Sequence, residues 1–248
     1  MMDRIRALLF PPKCAVCRSL LDWYGAAEHG VALCERCRTK WDSERLETCG
    51  HCAKAMTECE CMPDALKKSR CRGLRKLVYY RHGTREPIQN RLIYRIKETR
   101  DRRAVEFLAI SLLPALRDIL ETSGASKEEI VLTWVPRGRS ATLLYGTDQA
   151  RELARALSKL TGVPCIRLIK RHRGRAREQK KLDAKSRRAN ATAAFGLTRA
   201  ARNIPETVIL VDDIVTTGES MAACVRLLRT AGARYVKALS VATDDHNK

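Results

Sequence analysis

Two adjacent carboxylates and a hydroxyl-rich turn carry the clearest chemical signal in the sequence. The apolar run 208–211 leads directly into Asp212 and Asp213, and the turn Thr216-Thr217-Gly218 follows at the predicted start of a helix. Paired carboxylates accept hydrogen bonds from two neighbouring sugar hydroxyls, and a turn opening a helix offers N–H groups and hydroxyls to a phosphate. The pattern predicts a ribose 5-phosphate site. Its residues would be Asp212, Asp213, Thr216, Thr217, Gly218, Glu219 and Ser220.

The simpler interpretation of this run is a capped helix that follows a strand bearing two surface acids. The order of strand, acidic pair and phosphate-type turn favours the sugar phosphate site. In that case Asp212 and Asp213 are also the candidate catalytic residues, since they would contact the reacting ribose.

Nine of the eleven cysteines fall between Cys14 and Cys71, and their spacing is typical of metal ligands. Two Cys-x2-Cys pairs separated by sixteen residues match a zinc ribbon, in which each pair supplies two thiolates to one tetrahedral ion. These four ligands leave no open coordination position, so the predicted role of the zinc is structural. The first predicted zinc site consists of Cys14, Cys17, Cys34 and Cys37.

A second cysteine set is less regular, because a single residue separates its last two members. We expect a second zinc there, with Cys71 or His51 as alternative ligands, or else a degenerate ribbon in which one site alone is occupied. The predicted ligands are Cys49, Cys52, Cys59 and Cys61.

The net charge of +20 is concentrated in two short stretches. Residues 67–103 hold 14 basic and 3 acidic residues, and residues 170–188 hold 10 and 2. Such concentration favours a polyanionic partner, although a solvated basic surface is the alternative. The second stretch would either follow a nucleic-acid backbone or close over phosphates. Its candidate nucleic-acid contacts are Lys170, Arg171, Arg173, Arg175, Arg177 and Arg187.

Strands alternate with helices from about residue 73, which predicts an α/β fold with a parallel sheet covered on both faces. We therefore expect a zinc-ribbon lobe over 1–72 and a sheet domain over 73–248, with 170–195 as a flexible basic hood. No apolar run reaches the length of a membrane span, and the apolar run within the first ten residues is too short for a secretory signal. A cytoplasmic location, where thiols stay reduced, is expected.

The acidic pair and its turn resemble the phosphoribosyl pyrophosphate signature of type I phosphoribosyltransferases. The cysteine-rich N-terminus joined to such a domain is similar to the ComF family, which is associated with DNA uptake. The segments Trp134-Val135-Pro136 and 146–150 support the resemblance, as does the run Gln179, Arg187, Asn190 and Phe195. The resemblance implies single-stranded DNA and competence proteins as partners, and Mg²⁺ with phosphoribosyl pyrophosphate.

Several residues depart from the family pattern around the expected pyrophosphate loop. Tyr145 stands where the family usually has Arg. Gly138 stands where family members often have a hydroxyl-bearing residue or His, and Ala176, in the basic stretch, replaces a common threonine. Arg137 and Arg139 remain as candidate pyrophosphate ligands. Two hypotheses follow: a DNA-binding competence protein whose sugar phosphate site need not catalyse a reaction, or an active phosphoribosyltransferase with an unknown acceptor.

Overall fold

A parallel sheet forms the centre of the molecule in the computed structural model, which describes residues 11–21, 32–98, 101–138, 146, 148–172 and 194–244. Within these residues, β7 is bordered by β6 on one side and by the short β1 and β2 on the other, and β3 lies beyond β6. The predicted parallel α/β fold is confirmed. The strands are β1 (Leu74–Arg75), β2 (Val78–Tyr80), β3 (Ile130–Trp134), β4 (Ile169–Arg171), β5 (Phe195–Leu197), β6 (Thr207–Val215) and β7 (Tyr235–Asp244).

Alternate residues of β6 face two separate hydrophobic cores. Ile209 and Val211 pack into one core, and Val208 and Leu210 into the other, as the period of two along a strand requires. All four side chains are fully buried. The continuous apolar run therefore reflects a strand covered on both faces.

Helices cover both faces of the sheet. The first core includes buried residues of α1, α3, α4 and α5, and the second includes those of α2 and α6. The helices are α1 (Glu35–Arg45), α2 (Asp64–Lys68), α3 (Ile88–Glu98), α4 (Arg102–Ser123), α5 (Gln149–Thr161) and α6 (Glu219–Thr230). Among the described residues, none of these helices has the length and apolar character that a membrane span needs.

Helix ends follow local sequence signals. Asp101 accepts hydrogen bonds from the Arg103 and Ala104 amides at the start of α4, and Gly162 ends α5 in the left-handed conformation. Pro114 lies inside α4 without dividing it.

The cysteine-rich segment is packed into the main core. Cys14 and Cys37 are buried in the same core as Leu108, and the Trp41 ring meets Phe107 edge-on at 5.7 Å. Trp41 is thus fully buried against α4, and the cysteine-rich segment shares the main core.

Candidate functional site

The acidic pair lies inside β6, at the point where its neighbour β3 has ended. The last pair between β3 and β6 is Trp134 with Val211, whereas β6 continues beside β7 as far as Val215. The strand is therefore longer than the apolar run 208–211 and includes both acids. They occupy a strand segment with β7 on one side and no pairing to β3 on the other, which keeps them at the carboxyl edge of the sheet.

Asp213 is held by two cations from distant parts of the chain. Its Oδ2 lies 3.3 Å from Lys97 Nζ and 3.3 Å from Arg137 Nη2, and its side chain is 10% exposed. Burial alone would raise the pKa of Asp213, but the charges of Lys97 and Arg137 outweigh it, and the pKa is lowered. Asp213 is therefore an ionised carboxylate in a cationic environment.

Asp212 has the opposite electrostatic environment. Burial of the carboxyl group raises its pKa well above the usual value, and the negative charge of Asp213 adds to the effect. Its Oδ1 accepts a hydrogen bond from the Asp213 amide at 2.9 Å, and the residue is partly exposed. The two neighbouring acids thus differ in their tendency to carry charge.

The turn after β6 has the features of an anion site at a helix start. Thr216 and Thr217 are exposed, and Gly218 precedes the twelve-residue helix α6 with φ of 74°. The cap residue of α6 is this glycine, which has no side chain to accept hydrogen bonds from the first amides of the helix. Glu219 is partly buried and Ser220 is exposed in the first helical turn. The structure thus places the predicted ribose phosphate residues consecutively along the end of β6 and the start of α6.

Gly218 is fixed by both its conformation and its neighbours. Its φ lies in the left-handed region, which side chains other than glycine adopt at a cost. A Cβ at this position would stand 3.2 Å from both Cβ and Cγ of Pro63 and 3.4 Å from Leu66 Cδ1. The segment that follows the second cysteine set therefore packs directly against the turn.

The candidate pyrophosphate residue Arg137 is already engaged within the protein. Its side chain pairs with Asp213, and its amide donates to Asp148 Oδ2 at 3.3 Å. Trp134 Nε1 donates to the same carboxylate oxygen at 3.2 Å, so Asp148 fixes the chain after β3. The second candidate, Arg139, lies outside the described residues.

Lys97 was not identified from the sequence. It lies near the end of the amphipathic helix α3, where a lysine ordinarily only favours the helix dipole. The pairing with Asp213 joins residues that are far apart along the chain, so no local motif indicates it. The concentration of basic residues in 67–103 was the feature of the sequence that could have indicated a cation near the site.

Comparisons with known proteins find similarity to a phosphoribosyl transferase domain and to a competence protein. Residues 148–248 match the family model described as "Phosphoribosyl transferase domain". "Competence protein F" of Haemophilus influenzae is 29% identical over 232 residues, which cover 93% of this chain and 96% of that protein. The chain is thus similar to competence protein F over nearly its whole length. A purine phosphoribosyltransferase from Pyrococcus horikoshii overlaps with 57% of this chain and 84% of its own, at 14% identity and a TM-score of 0.31.

At the start of the predicted basic hood, the described residues form a short antiparallel pair of strands. Strand β4 pairs with β5, Lys170 is exposed, and the Arg171 guanidinium lies 5.1 Å from the centre of the Phe195 ring. Arg171 also borders the loop after β3, because a Cβ on Gly138 would stand 3.7 Å from its Nε. The remaining predicted nucleic-acid residues lie outside the described residues: Arg173, Arg175, Arg177 and Arg187.

The basic junction between the lobes is only partly available to a partner. Arg75 is paired with Asp118 at 2.6 Å, and Lys76 is 2% exposed. The other cations between residues 67 and 76 are exposed: Lys67, Lys68, Arg70 and Arg72. Tyr79 is buried, in keeping with a core role rather than with base stacking.

Both cysteine sets form compact groups that could hold a metal ion. Within each group the four sulfur atoms lie within 4.8 Å of one another. The groups are Cys14, Cys17, Cys34 and Cys37, and Cys49, Cys52, Cys59 and Cys61. The alternative ligands are not part of the second group: the Cys71 thiol donates to the carbonyls of Gly73 and Val236, and His51 is exposed. All-sulfur tetrads of this kind suit Zn²⁺ in a structural role.

Proposed function

We propose that this chain binds phosphoribosyl pyrophosphate at the junction of β6 and α6, and binds single-stranded DNA through its basic hood. The observation that carries the sugar phosphate site is the acidic pair on β6 beyond the end of β3, followed by an uncapped helix start. In this arrangement Asp212 and Asp213 accept hydrogen bonds from the ribose hydroxyls. The 5-phosphate contacts the backbone and hydroxyls of 216–220.

The pyrophosphate would lie between the loop after β3 and the base of the hood. Arg137 and Arg171 both border this space. Moving Arg137 from Asp213 to a pyrophosphate leaves Lys97 on that carboxylate, so the acid keeps one cationic partner. Mg²⁺ prefers oxygen ligands, and the carboxylates of the pair together with substrate phosphates offer them. When bound, the ion would neutralise phosphate charge.

Zinc at the two cysteine groups is part of the same proposal. We also infer that the sheet domain begins near residue 73, and that the protein works in the cytoplasm with the competence apparatus. The name of its Haemophilus relative supports the last point. An active transferase is the second candidate function, favoured by the phosphoribosyl transferase domain match over 148–248.

Calorimetry with two ligands tests the sugar phosphate site. Phosphoribosyl pyrophosphate with Mg²⁺ and ribose 5-phosphate should both bind, and Asp213→Asn should weaken both about tenfold or more, since a charge-assisted hydrogen bond contributes about 1.5–3 kcal/mol. Asp42→Asn is the matched control, because Asp42 is a half-exposed carboxylate on α1 that also pairs with an arginine, Arg45. Binding of both ligands to Asp213→Asn at wild-type affinity would contradict the assignment.

Arg137→Met separates the two parts of the ligand. It should weaken phosphoribosyl pyrophosphate and leave ribose 5-phosphate unchanged, because the latter has no pyrophosphate. Equal effects on both ligands would instead place Arg137 at the ribose.

DNA binding is tested by its salt dependence. The affinity for a single-stranded oligonucleotide should fall steeply with salt, by a slope of about 0.7 per phosphate contacted. Lys170→Gln should reduce that slope by about 0.7, whereas Lys40→Gln, an exposed lysine on α1, should not. A flat salt response would refute the DNA proposal. Asp213→Asn should abolish pyrophosphate release if the chain is a transferase, while leaving DNA affinity intact.

A further inference from the structure

A buried lysine faces the second cysteine group. Lys76 lies between β1 and β2 and is 2% exposed, which is rare for an ammonium group. Its Nζ lies 3.1 Å from Cys59 Sγ and also donates to the Cys61 carbonyl. Two members of one cysteine group thus surround the same ammonium.

A buried ammonium needs an anion nearby, because taking the charge out of water is costly without one. Among the described residues, the ion pairs that involve carboxylates do not include Lys76. The group it does contact is the Cys59 sulfur. A thiolate supplies the required charge, and thiolates are the form in which cysteines bind metal.

The charge of a filled site explains why a cation stands there. Four thiolates around one divalent ion carry a net charge of −2, and one ammonium beside them halves it. At the first group, by contrast, the Cys17 sulfur contacts the neutral Ser19 hydroxyl at 3.0 Å. The two groups therefore differ in their electrostatic surroundings.

We propose that Lys76 is the built-in counter-cation of a metal centre at Cys49, Cys52, Cys59 and Cys61, and that it orients Cys59 and Cys61 for binding. This rests on the zinc binding proposed above. Lys76 acts through the ligands and does not bind the metal itself. Outer residues of this kind commonly change metal affinity about 10- to 100-fold.

The experiment measures metal content and chelator competition in the full chain. Wild type should hold two zinc ions, released in two phases, and Cys52→Ser identifies the phase of the second group. Lys76→Met should release that phase at about 10- to 100-fold lower chelator concentration and leave the other phase unchanged. Lys54→Met, an exposed lysine in the same cysteine-rich loop, should behave as wild type.

Two further variants, one neutral and one charged, separate the effect of the lysine's charge from the effect of its packing. Lys76→Gln keeps a hydrogen-bond donor without the charge and should also weaken the second site, whereas Lys76→Arg should retain more metal than Lys76→Met. In Co²⁺-loaded protein, loss of the charge should move the thiolate-to-cobalt absorption of the second site to lower energy. Wild-type metal retention in Lys76→Gln would overturn the proposal. Absence of metal from the wild type would instead overturn the zinc binding on which it rests.

Discussion

Replacing Gly218 with alanine probes the turn that precedes α6 through two separable costs. An alanine at φ of 74° adopts the left-handed conformation, which costs about 1–2 kcal/mol. Its Cβ would also stand 3.2 Å from Pro63, whose ring is buried and cannot rotate away. Overpacking of this kind costs about 1–3 kcal/mol. The free energy of unfolding should therefore fall by about 2–5 kcal/mol.

Gly162 provides a matched control for the conformational cost. It has φ of 77°, nearly that of Gly218, and it likewise lies at a helix end. A Cβ on Gly162 would meet no atom within 4 Å. Gly162→Ala should therefore lose about 1–2 kcal/mol, from the backbone alone.

Urea unfolding of both variants at pH 7 measures the difference, and calorimetry with phosphoribosyl pyrophosphate measures its effect on the turn. We expect Gly218→Ala to lose about 1–3 kcal/mol more than Gly162→Ala and to bind the ligand more weakly. If the two variants lose the same stability, Pro63 does not constrain the turn, and the packing argument fails.

The remaining predictions concern charge and metal. At pH 7, Asp212→Asn should raise the free energy of unfolding by about 1 kcal/mol. The raised pKa of Asp212 means that its protonated form stabilises the fold, and this stability is lost as pH rises above the pKa of the same group in the unfolded chain. The gain should therefore vanish when urea unfolding is measured at acid pH. Asp213→Asn should instead destabilise at pH 7 and flatten the acid limb, since the lowered pKa of Asp213 gives stability that is lost as pH falls. Lys97→Met should cost about 1–3 kcal/mol in the wild type and less beside Asp213→Asn, a coupling that a double-mutant cycle measures. Zinc removal by a chelator should reduce near-ultraviolet circular dichroism from Trp41, which is buried against α4 beside the first cysteine group.

Local patterns allowed much of the fold to be predicted from the sequence. Alternation of strands and helices gave the parallel sheet, and Gly162 marked the end of α5, because these features depend on residues close along the chain. Cysteine spacing likewise predicted both sulfur groups. The two cysteines of each pair must lie close along the chain to bind one ion, so the sequence spacing reveals which cysteines can group together.

Features that depend on distant residues could not be predicted in this way. The extent of β6 past Val211 is set by pairing with β7, and the charge of Asp213 by Lys97 from α3. The burial of Lys76 depends on where β1 and β2 join the sheet edge. In the sequence Lys76 is one of the cations of the basic stretch 67–103, whereas the structure gives it a sulfur partner.

The unequal environments of the two acids bear on whether the site binds or transforms its ligand. Asp213 carries its charge with two internal cations, so a ribose contacting it meets a carboxylate whose charge is already offset. Asp212 has the raised pKa and is partly exposed, so contact with a ligand that brings positive charge, such as a Mg²⁺–phosphate complex, favours its ionised form. Ligand binding should therefore be accompanied by proton release from Asp212. Such coupling belongs to the binding step and is expected whether or not transfer follows.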